Sequence, residues 1–255
     1  MMSEDTRDGA ASRTRVAIVG SAGKMGQALI RLVKEDAELE LVAVLDQGDP
    51  MSALGAYPGA VAIDFSTPAG TLALAETAPG AGVAIVSGTT GLDDAAVRAL
   101  EAASRIVPVF TASNMSVGVH VLGVLIERAI AMLGPDFDLE LIEAHHRRKV
   151  DAPSGTALTL AAIAQSARGG DPRLVHGRHP DVRAARGRDE VGIHAVRGGD
   201  VIGDHTLLLL GDGERLELTH RATNRDLFAR GALRAARWVA GRGAGRYGMR
   251  DLVGE

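Results

Sequence analysis

The sequence predicts an α/β protein of two units: a parallel sheet covered by helices, followed by a second α+β unit with a mixed, largely antiparallel sheet. Three observations predict it. The 255 residues are 46% hydrophobic, enough to bury a substantial core. Up to residue 115, short apolar runs alternate with segments of helical period, and strands alternating with helices imply a parallel sheet covered on both faces. After Gly134-Pro135 the pattern changes to alternating strand-like runs separated by turns.

The elements follow in order. Arg15–Gly20 is an apolar run ending in glycine, hence a buried strand. Lys24–Glu35 has helical spacing, with Met25, Leu29, Leu32 and Val33 on one face. Leu39–Leu45 and Ala60–Phe65 are the second and third strands. Thr67 and Pro68 read as the cap and first position of a helix reaching about Ala78. Gly82–Val86 is the fourth strand, Leu92–Ser104 a helix with Asp93 and Asp94 in its first turn, and Ile106–Phe110 the fifth strand. Ser116–Leu133 is a long apolar helix. Phe137–Ala144 alternates as a strand, His145–Ser154 is a polar loop, and Gly155–Ala167 is a helix. Arg168–Asp189, rich in Gly, Pro, Arg and Asp, reads as an extended loop. Three strands follow, Val191–Arg197, His205–Leu210 and Arg215–His220, with Gly211-Asp212-Gly213 as the hairpin turn between the last two. Asp226–Gly241 is a closing helix. Residues 15–115 with 226–255 are expected to form the first domain and 116–225 the second, with 1–14 a disordered tail.

Composition removes several function classes. A net charge of -4 with a pI near 6.1 argues against a nucleic-acid partner. The absence of cysteine excludes disulfides, thiolate metal sites and cysteine nucleophiles. No run of 18 apolar residues offers a membrane span. Met1–Thr14, with Glu4, Asp5 and Asp8, lacks the apolar core of a secretory signal, so a soluble cytoplasmic protein is the expectation.

Ligands of parallel sheets bind beyond the carboxyl ends of the strands, which directs attention to the loops beginning at Gly20, Asp46, Ser66, Gly88 and Thr111. Gly20-Ser21-Ala22-Gly23-Lys24-Met25-Gly26 spaces its glycines by three and three between a strand and a helix. Glycine permits the sharp turn and lets a pyrophosphate approach the helix N-terminus, where backbone amides and the helix dipole favour anions. Twenty residues after Gly26, Asp46 stands at the end of the second strand, where an acid accepts hydrogen bonds from an adenosine ribose. Together these point to a dinucleotide site. Gly88-Thr89-Thr90-Gly91 and Ser113-Asn114-Met115 close the fourth and fifth strands and suit close contact with a nicotinamide. By themselves they are equally ordinary strand-to-helix turns.

His145-His146-Arg147-Arg148-Lys149 places five basic groups in succession, which repel one another and which folding alone would not favour. They lead into Pro153-Ser154-Gly155-Thr156 at a helix start, whose amides and hydroxyls suit an anion. The combination looks like a pocket for a small carboxylate, though a solvated basic face is the plainer alternative. Histidine exchanges protons near neutral pH. Only Lys24, Lys34 and Lys149 are lysine among 28 basic residues, so a lysine is the rarer choice here, and two of the three fall in these motifs. His120, His176, His179, His194, His205 and His220 are not expected to take part in the chemistry. No spacing of His, Asp and Glu argues for a metal site, and Ser154 has no triad partners in view.

The run Glu143-Ala144-His145-His146-Arg147-Arg148-Lys149-Val150-Asp151-Ala152-Pro153-Ser154-Gly155-Thr156-Ala157 closely resembles the signature of the 4-hydroxy-tetrahydrodipicolinate reductase (dihydrodipicolinate reductase) family. The resemblance extends through Val16–Met25, Ile63–Ser66, Ser87–Gly91, Asn114–Val119, Arg197–His205, Glu217–Ala222 and Phe228–Ala232. It implies a Rossmann-like cofactor domain and a second domain that binds substrate and assembles a homotetramer through its sheet. It implies reduction of a small dicarboxylate cyclic imine by NADH or NADPH on the route to diaminopimelate and lysine. By resemblance, His145 and Lys149 are catalytic, and His146, Gly155 and Thr156 bind substrate. Gly20, Ser21, Ala22, Gly23, Lys24, Met25, Asp46, Gly88, Thr89, Thr90, Ala112, Ser113, Asn114 and Met115 line the cofactor. The chain departs from many members near the adenosine: Gln47, and Ser66 with Thr67, stand where arginines are expected. NADH is therefore expected to serve at least as well as NADPH. Two alternatives stay open: an amino-acid dehydrogenase of the aspartate pathway, and a dinucleotide sensor without catalysis.

Overall fold

The structure, a computed structural model, describes residues 13–179 and 184–254; of the expected tail, residues 1–12 lie outside them. The chain divides into two compact units, one of Met1–Met115 with Phe228–Glu255 and one of Ser116–Leu227. The second unit therefore keeps Asp226 and Leu227, which the sequence reading gave to the first.

In the first unit, β1 (Thr14–Val19), β2 (Leu39–Leu45), β3 (Val61–Asp64), β4 (Ala84–Ser87), β5 (Pro108–Thr111) and β11 (Gly245–Tyr247) form one six-stranded sheet in the order β11-β5-β4-β3-β1-β2. Every pairing is parallel. Strands buried on both faces read as continuous apolar runs, and β1 shows why. Ala17 and Val19 join a core with Leu74 and Ala78 of α2 (Pro68–Ala81) and Leu100 of α3 (Asp94–Ala103). The alternating Val16 and Ile18 are equally buried. Phe110 of β5 meets Trp238 of α6 (Asp226–Val239) edge-on, with centroids 6.3 Å apart. Arg237 of α6 bonds Asp36, just past α1 (Lys24–Glu35), at 2.5 Å.

The capping residues set the helix starts. Thr67 Oγ1 accepts from Gly70 N at 3.2 Å with Pro68 next in line, and Asp93 Oδ1 accepts from Ala96 N at 2.8 Å. Asp93 is thus the cap of α3, not part of its first turn. Three short elements were not anticipated: a 3-10 helix at Met51–Ala56, strand β11, and α7 (Met249–Val253). Each is six residues or fewer, too short for a hydrophobic period to show.

The second unit holds β6 (Asp138–His145), β7 (Arg173–His176), β8 (Glu190–Arg197), β9 (Gly203–Gly211) and β10 (Glu214–Ala222) in the order β10-β9-β6-β8-β7. The sheet is mixed. Antiparallel pairing is confined to β10-β9-β6, and β6-β8-β7 pair in parallel. Parallel β7 lies within the expected loop at 168–189, a partly exposed four-residue edge strand that composition alone conceals. α4 (Val117–Leu133) and α5 (Gly155–Arg168) supply Leu122, Ile126, Leu160 and Ala161 to a core with Leu139, Leu141, Val191, Ile193, Leu207 and Leu209. Among the described residues, no helix is long and apolar enough to cross a membrane.

Candidate active site

The glycine loop of the first unit is shaped by contact. Gly20 has φ +81°, and a Cβ there would lie 2.6 Å from the Phe65 carbonyl oxygen, so this turn needs glycine. A Cβ on Gly26 would lie 2.2 Å from Gly20 O, so the third glycine lets α1 close on the end of β1. Gly23 caps α1 with no side-chain bond, which leaves the first-turn amides to an outside anion. Lys24 is exposed there. The Asp46 carboxylate turns back onto the loop. Its Oδ2 accepts from Ala22 N and from Ser21 Oγ (3.2 Å), and its Oδ1 accepts from Gln47 N at 2.7 Å. The N–H groups of Ala22 and Gln47, then the Ser21 hydroxyl, hold this acid below its usual range against a smaller opposing effect of burial. The loop and the acid twenty residues beyond it are therefore adjacent in space.

Gly88, Thr89 and Thr90 follow β4. A Cβ on Gly88 would meet the Phe65 ring at 2.4 Å. Asp64, quoted above only within the resemblance, organises this end of the sheet. Fully buried, it accepts from Ser66 Oγ (2.5 Å), Thr71 Oγ1 (2.6 Å), Ser87 Oγ (2.9 Å) and Thr89 Oγ1 (3.0 Å). Ser66 N donates to Thr89 Oγ1 at 3.1 Å, which ties the loop after β3 to the loop after β4. Ala112 N donates to Ser87 O at 3.2 Å and brings the loop after β5 into the same group. Ser113 is exposed, Asn114 half-buried and Met115 buried. The sequence signal for Asp64 is an acid closing an otherwise apolar strand.

In the second unit, His145 ends β6 and is 8% exposed. His146 follows, half-buried, with Nδ1 enclosed and lacking a hydrogen-bond partner among the described residues. Burial, then the positive charge of Arg225 and Arg148, lowers the His146 pKa. Lys149 Nζ pairs with Asp151 Oδ2 at 2.8 Å. Ser154 caps α5 by accepting from Ala157 N at 3.1 Å, so Gly155 and Thr156 occupy the first turn. The five residues expected to handle substrate thus belong to the end of β6, the loop after it and the helix that loop enters.

Three residues give this loop its shape, and the sequence reading assigned none of them a role. The period of two along β6 places Glu143 on the buried face with His145, and Glu143 is fully buried. Its Oε2 accepts from His145 Nδ1 at 2.6 Å and Arg197 Nη1 at 2.7 Å. Its Oε1 accepts from Arg197 Nη2 at 2.7 Å and Ser154 N at 3.0 Å. Burial pushes this carboxyl up, but the bonds from Arg197, His145 and Ser154 outweigh it and hold Glu143 below its usual range. His205, opposite Glu143 on β9, stacks edge-on to His145 at 5.3 Å and lies 3.2 Å from Ser154 Oγ. Burial, then the neighbouring His145, drives the His205 pKa down to about 4, so this ring is neutral at pH 7. The available signal was Glu143 two residues before His145 on an alternating strand. Nothing local marks Arg197 or His205, which reach the site through strand pairing. Among the described residues, no group of three or more His, Asp or Glu side chains is arranged to hold a metal ion.

Comparison with known proteins identifies the family. Residues 14–115 match the family described as dihydrodipicolinate reductase, N-terminus, and residues 118–253 match dihydrodipicolinate reductase, C-terminus. The chain is 46% identical to the 4-hydroxy-tetrahydrodipicolinate reductase of Thiobacillus denitrificans (strain ATCC 25259 / T1), over 94% of this chain and 98% of that protein. It is 44% identical to the protein of the same name from Alkalilimnicola ehrlichii (strain ATCC BAA-1101 / DSM 17681 / MLHE-1), over 94% and 99% of the two chains. Among solved structures it is similar to dipicolinate-bound dihydrodipicolinate reductase from Paenisporosarcina sp. TG-14, with a TM-score of 0.77, 26% identity, and coverage of 94% of this chain and 99% of that one. With both family regions matched and relatives 46% and 44% identical over 94% of its length, the chain belongs to the dihydrodipicolinate reductase family.

Proposed function

We propose that this enzyme reduces 4-hydroxy-tetrahydrodipicolinate, by way of dihydrodipicolinate, to tetrahydrodipicolinate in diaminopimelate and lysine biosynthesis. The observation that carries the reading is the meeting of His145 and the start of α5 on one buried carboxylate, Glu143, at the two ends of the loop that carries Lys149. A dinucleotide sensor would have no use for that arrangement, and the family membership disfavours an amino-acid dehydrogenase.

The residues of the first unit fit a nicotinamide dinucleotide. The cradle at Gly20 and Gly26 admits no Cβ, and the first turn of α1 is uncapped. Gly20, Ser21, Ala22, Gly23, Lys24 and Met25 would hold the pyrophosphate, Asp46 the adenosine ribose, and Gly88, Thr89, Thr90 and Ala112 to Met115 the nicotinamide end. When bound, the reduced nicotinamide supplies a hydride. The chain supplies the charge and the proton. His146, Gly155 and Thr156 hold the substrate's carboxylates, using the first-turn amides of α5. As the ring takes up a hydride, negative charge grows toward its nitrogen. Lys149 Nζ and the His145 ring stabilise that charge and deliver the proton there. His145→Ala and Lys149→Ala are each expected to lower turnover by about 10²–10⁴-fold while the circular dichroism spectrum is unchanged. Loss of nicotinamide absorbance with freshly made substrate reads the rate, and near-normal turnover in both variants refutes the assignment.

The same reading places the enzyme in the cytoplasm as a homotetramer assembled through the second unit's sheet. β10 is an edge strand of nine residues with Leu216 40% exposed, and an uncovered edge of that length invites pairing with another copy. Light scattering is expected to give four times the chain mass. A monomer at assay concentration rejects the assembly.

Cofactor preference follows from charge. The Asp46 carboxylate is ionised at neutral pH, and a 2′-phosphate would bring like charge beside it. Gln47, Ser66 and Thr67 offer no compensating cation, and Lys24 stands at the pyrophosphate end of the loop. NADH is expected to give a kcat/KM at least equal to that of NADPH, and Gln47→Arg to shift the ratio toward NADPH. A wild-type preference for NADPH above about tenfold, roughly 1.4 kcal/mol, contradicts this.

A further inference from the structure

The Glu143 carboxylate is met by four nitrogen atoms, and three of them can only donate: both Arg197 Nη atoms and the Ser154 amide. The fourth is His145 Nδ1, at 2.6 Å. An ionised carboxylate has no proton to give, so Nδ1 must carry one. Proton exchange with anything else then falls to Nε2. The surroundings of Nε2 agree: a Cβ on Gly203 would lie only 3.0 Å from it, a contact that glycine avoids. Gly203 takes no left-handed conformation that would call for glycine on backbone grounds.

We infer that Glu143, clamped by Arg197, is a positioning residue for the reduction: it fixes His145 in the Nδ1–H form and makes Nε2 the nitrogen that exchanges a proton with substrate. The inference rests on the proposed role of His145 in proton transfer. The plainer role for Glu143 is a tether joining β6, β8 and the start of α5 through Arg197 and Ser154. That role needs no histidine on Oε2 and is indifferent to which ring nitrogen is protonated, so the two differ in a measurable way.

Glu143→Gln separates them. The glutamine keeps one oxygen for Ser154 N and Arg197 Nη2 and turns its amide NH₂ toward His145 and Arg197 Nη1, which keeps its bond to the Val196 carbonyl. Nδ1 must then accept, and the ring takes the opposite tautomer with its proton on Nε2. Nitrogen-15 NMR of the full-length protein reads this directly. Wild type is expected to show Nδ1 protonated, and Glu143→Gln to show the neutral Nε2–H form. Turnover is expected to fall about 10²–10⁴-fold, as when a triad histidine is held in the wrong tautomer, with substrate KM changed only a few-fold. Adding Glu143→Gln to His145→Gln is expected to cost nothing further, because the carboxylate acts through the ring. If Glu143→Gln does not fold, Gly203→Ala tests the same atom: its methyl crowds Nε2 and is expected to lower kcat by about tenfold or more with cofactor KM unchanged. A neutral Nε2–H ring in wild type, near-normal turnover in Glu143→Gln or in Gly203→Ala, or losses that multiply in the double variant would each overturn the inference. Normal turnover in His145→Gln alone is the separate result that removes the underlying role of His145.

Discussion

A carboxylate shut away from water must be surrounded by donors, and that constraint organises the second unit around Glu143. The acid is fully buried, and its four bonds come from three elements: β6 through His145, β8 through Arg197, and the start of α5 through Ser154. Removing one partner of a buried ion pair strands the other, typically at about 3–5 kcal/mol. Arg197 also donates to Asp151 O at 2.6 Å, so the guanidinium that neutralises Glu143 shapes the basic loop too. The loop's conformation and the histidine's protonation pattern share one cause.

The first unit solves a similar problem with different chemistry. Asp64 is equally buried, yet its donors are hydroxyls and a backbone amide instead of a guanidinium. Its bonds draw together the loops that leave β3 and β4, where a parallel sheet binds its ligands. In each unit a buried acid at or near the carboxyl end of a strand contacts residues proposed to bind ligand or their immediate neighbours. Lys149 differs. Its partner Asp151 is exposed, so the pair is screened by solvent and costs little to separate. The proton-donating role proposed for Lys149 is better served by that loose partner than by a buried one.

The sequence was most legible where function depends on local pattern. The glycine loop, the acid after β2 and the basic run into α5 are contiguous or evenly spaced, and Lys24–Glu35 and Leu39–Leu45 match the observed helix and strand end to end. Legibility failed where the determinant is long-range. Arg197 lies 54 residues from Glu143, and His205 lies 51 from Ser154; only the pairing of β6 with β8 and β9 brings them together. The extent of parallel pairing in the second sheet exceeds the largely antiparallel expectation for a related reason. β7 is four residues long, partly exposed and set among glycines and prolines, so no alternation marks it. β11 contributes three residues to a sheet whose partner strand lies more than 130 positions earlier.

The tautomer of His145 and the Arg197 clamp both depend on Glu143 being an acceptor only. Burial works against that state, and Arg197, His145 and Ser154 work for it. Carbon-13 NMR of selectively labelled glutamate carboxyls, assigned with Glu143→Gln, measures the outcome. The account predicts that the Glu143 carboxyl titrates below the ordinary glutamate value of 4.5 and is fully ionised at neutral pH. A Glu143 signal that titrates above that value, with a protonated carboxyl persisting toward neutrality, would contradict it.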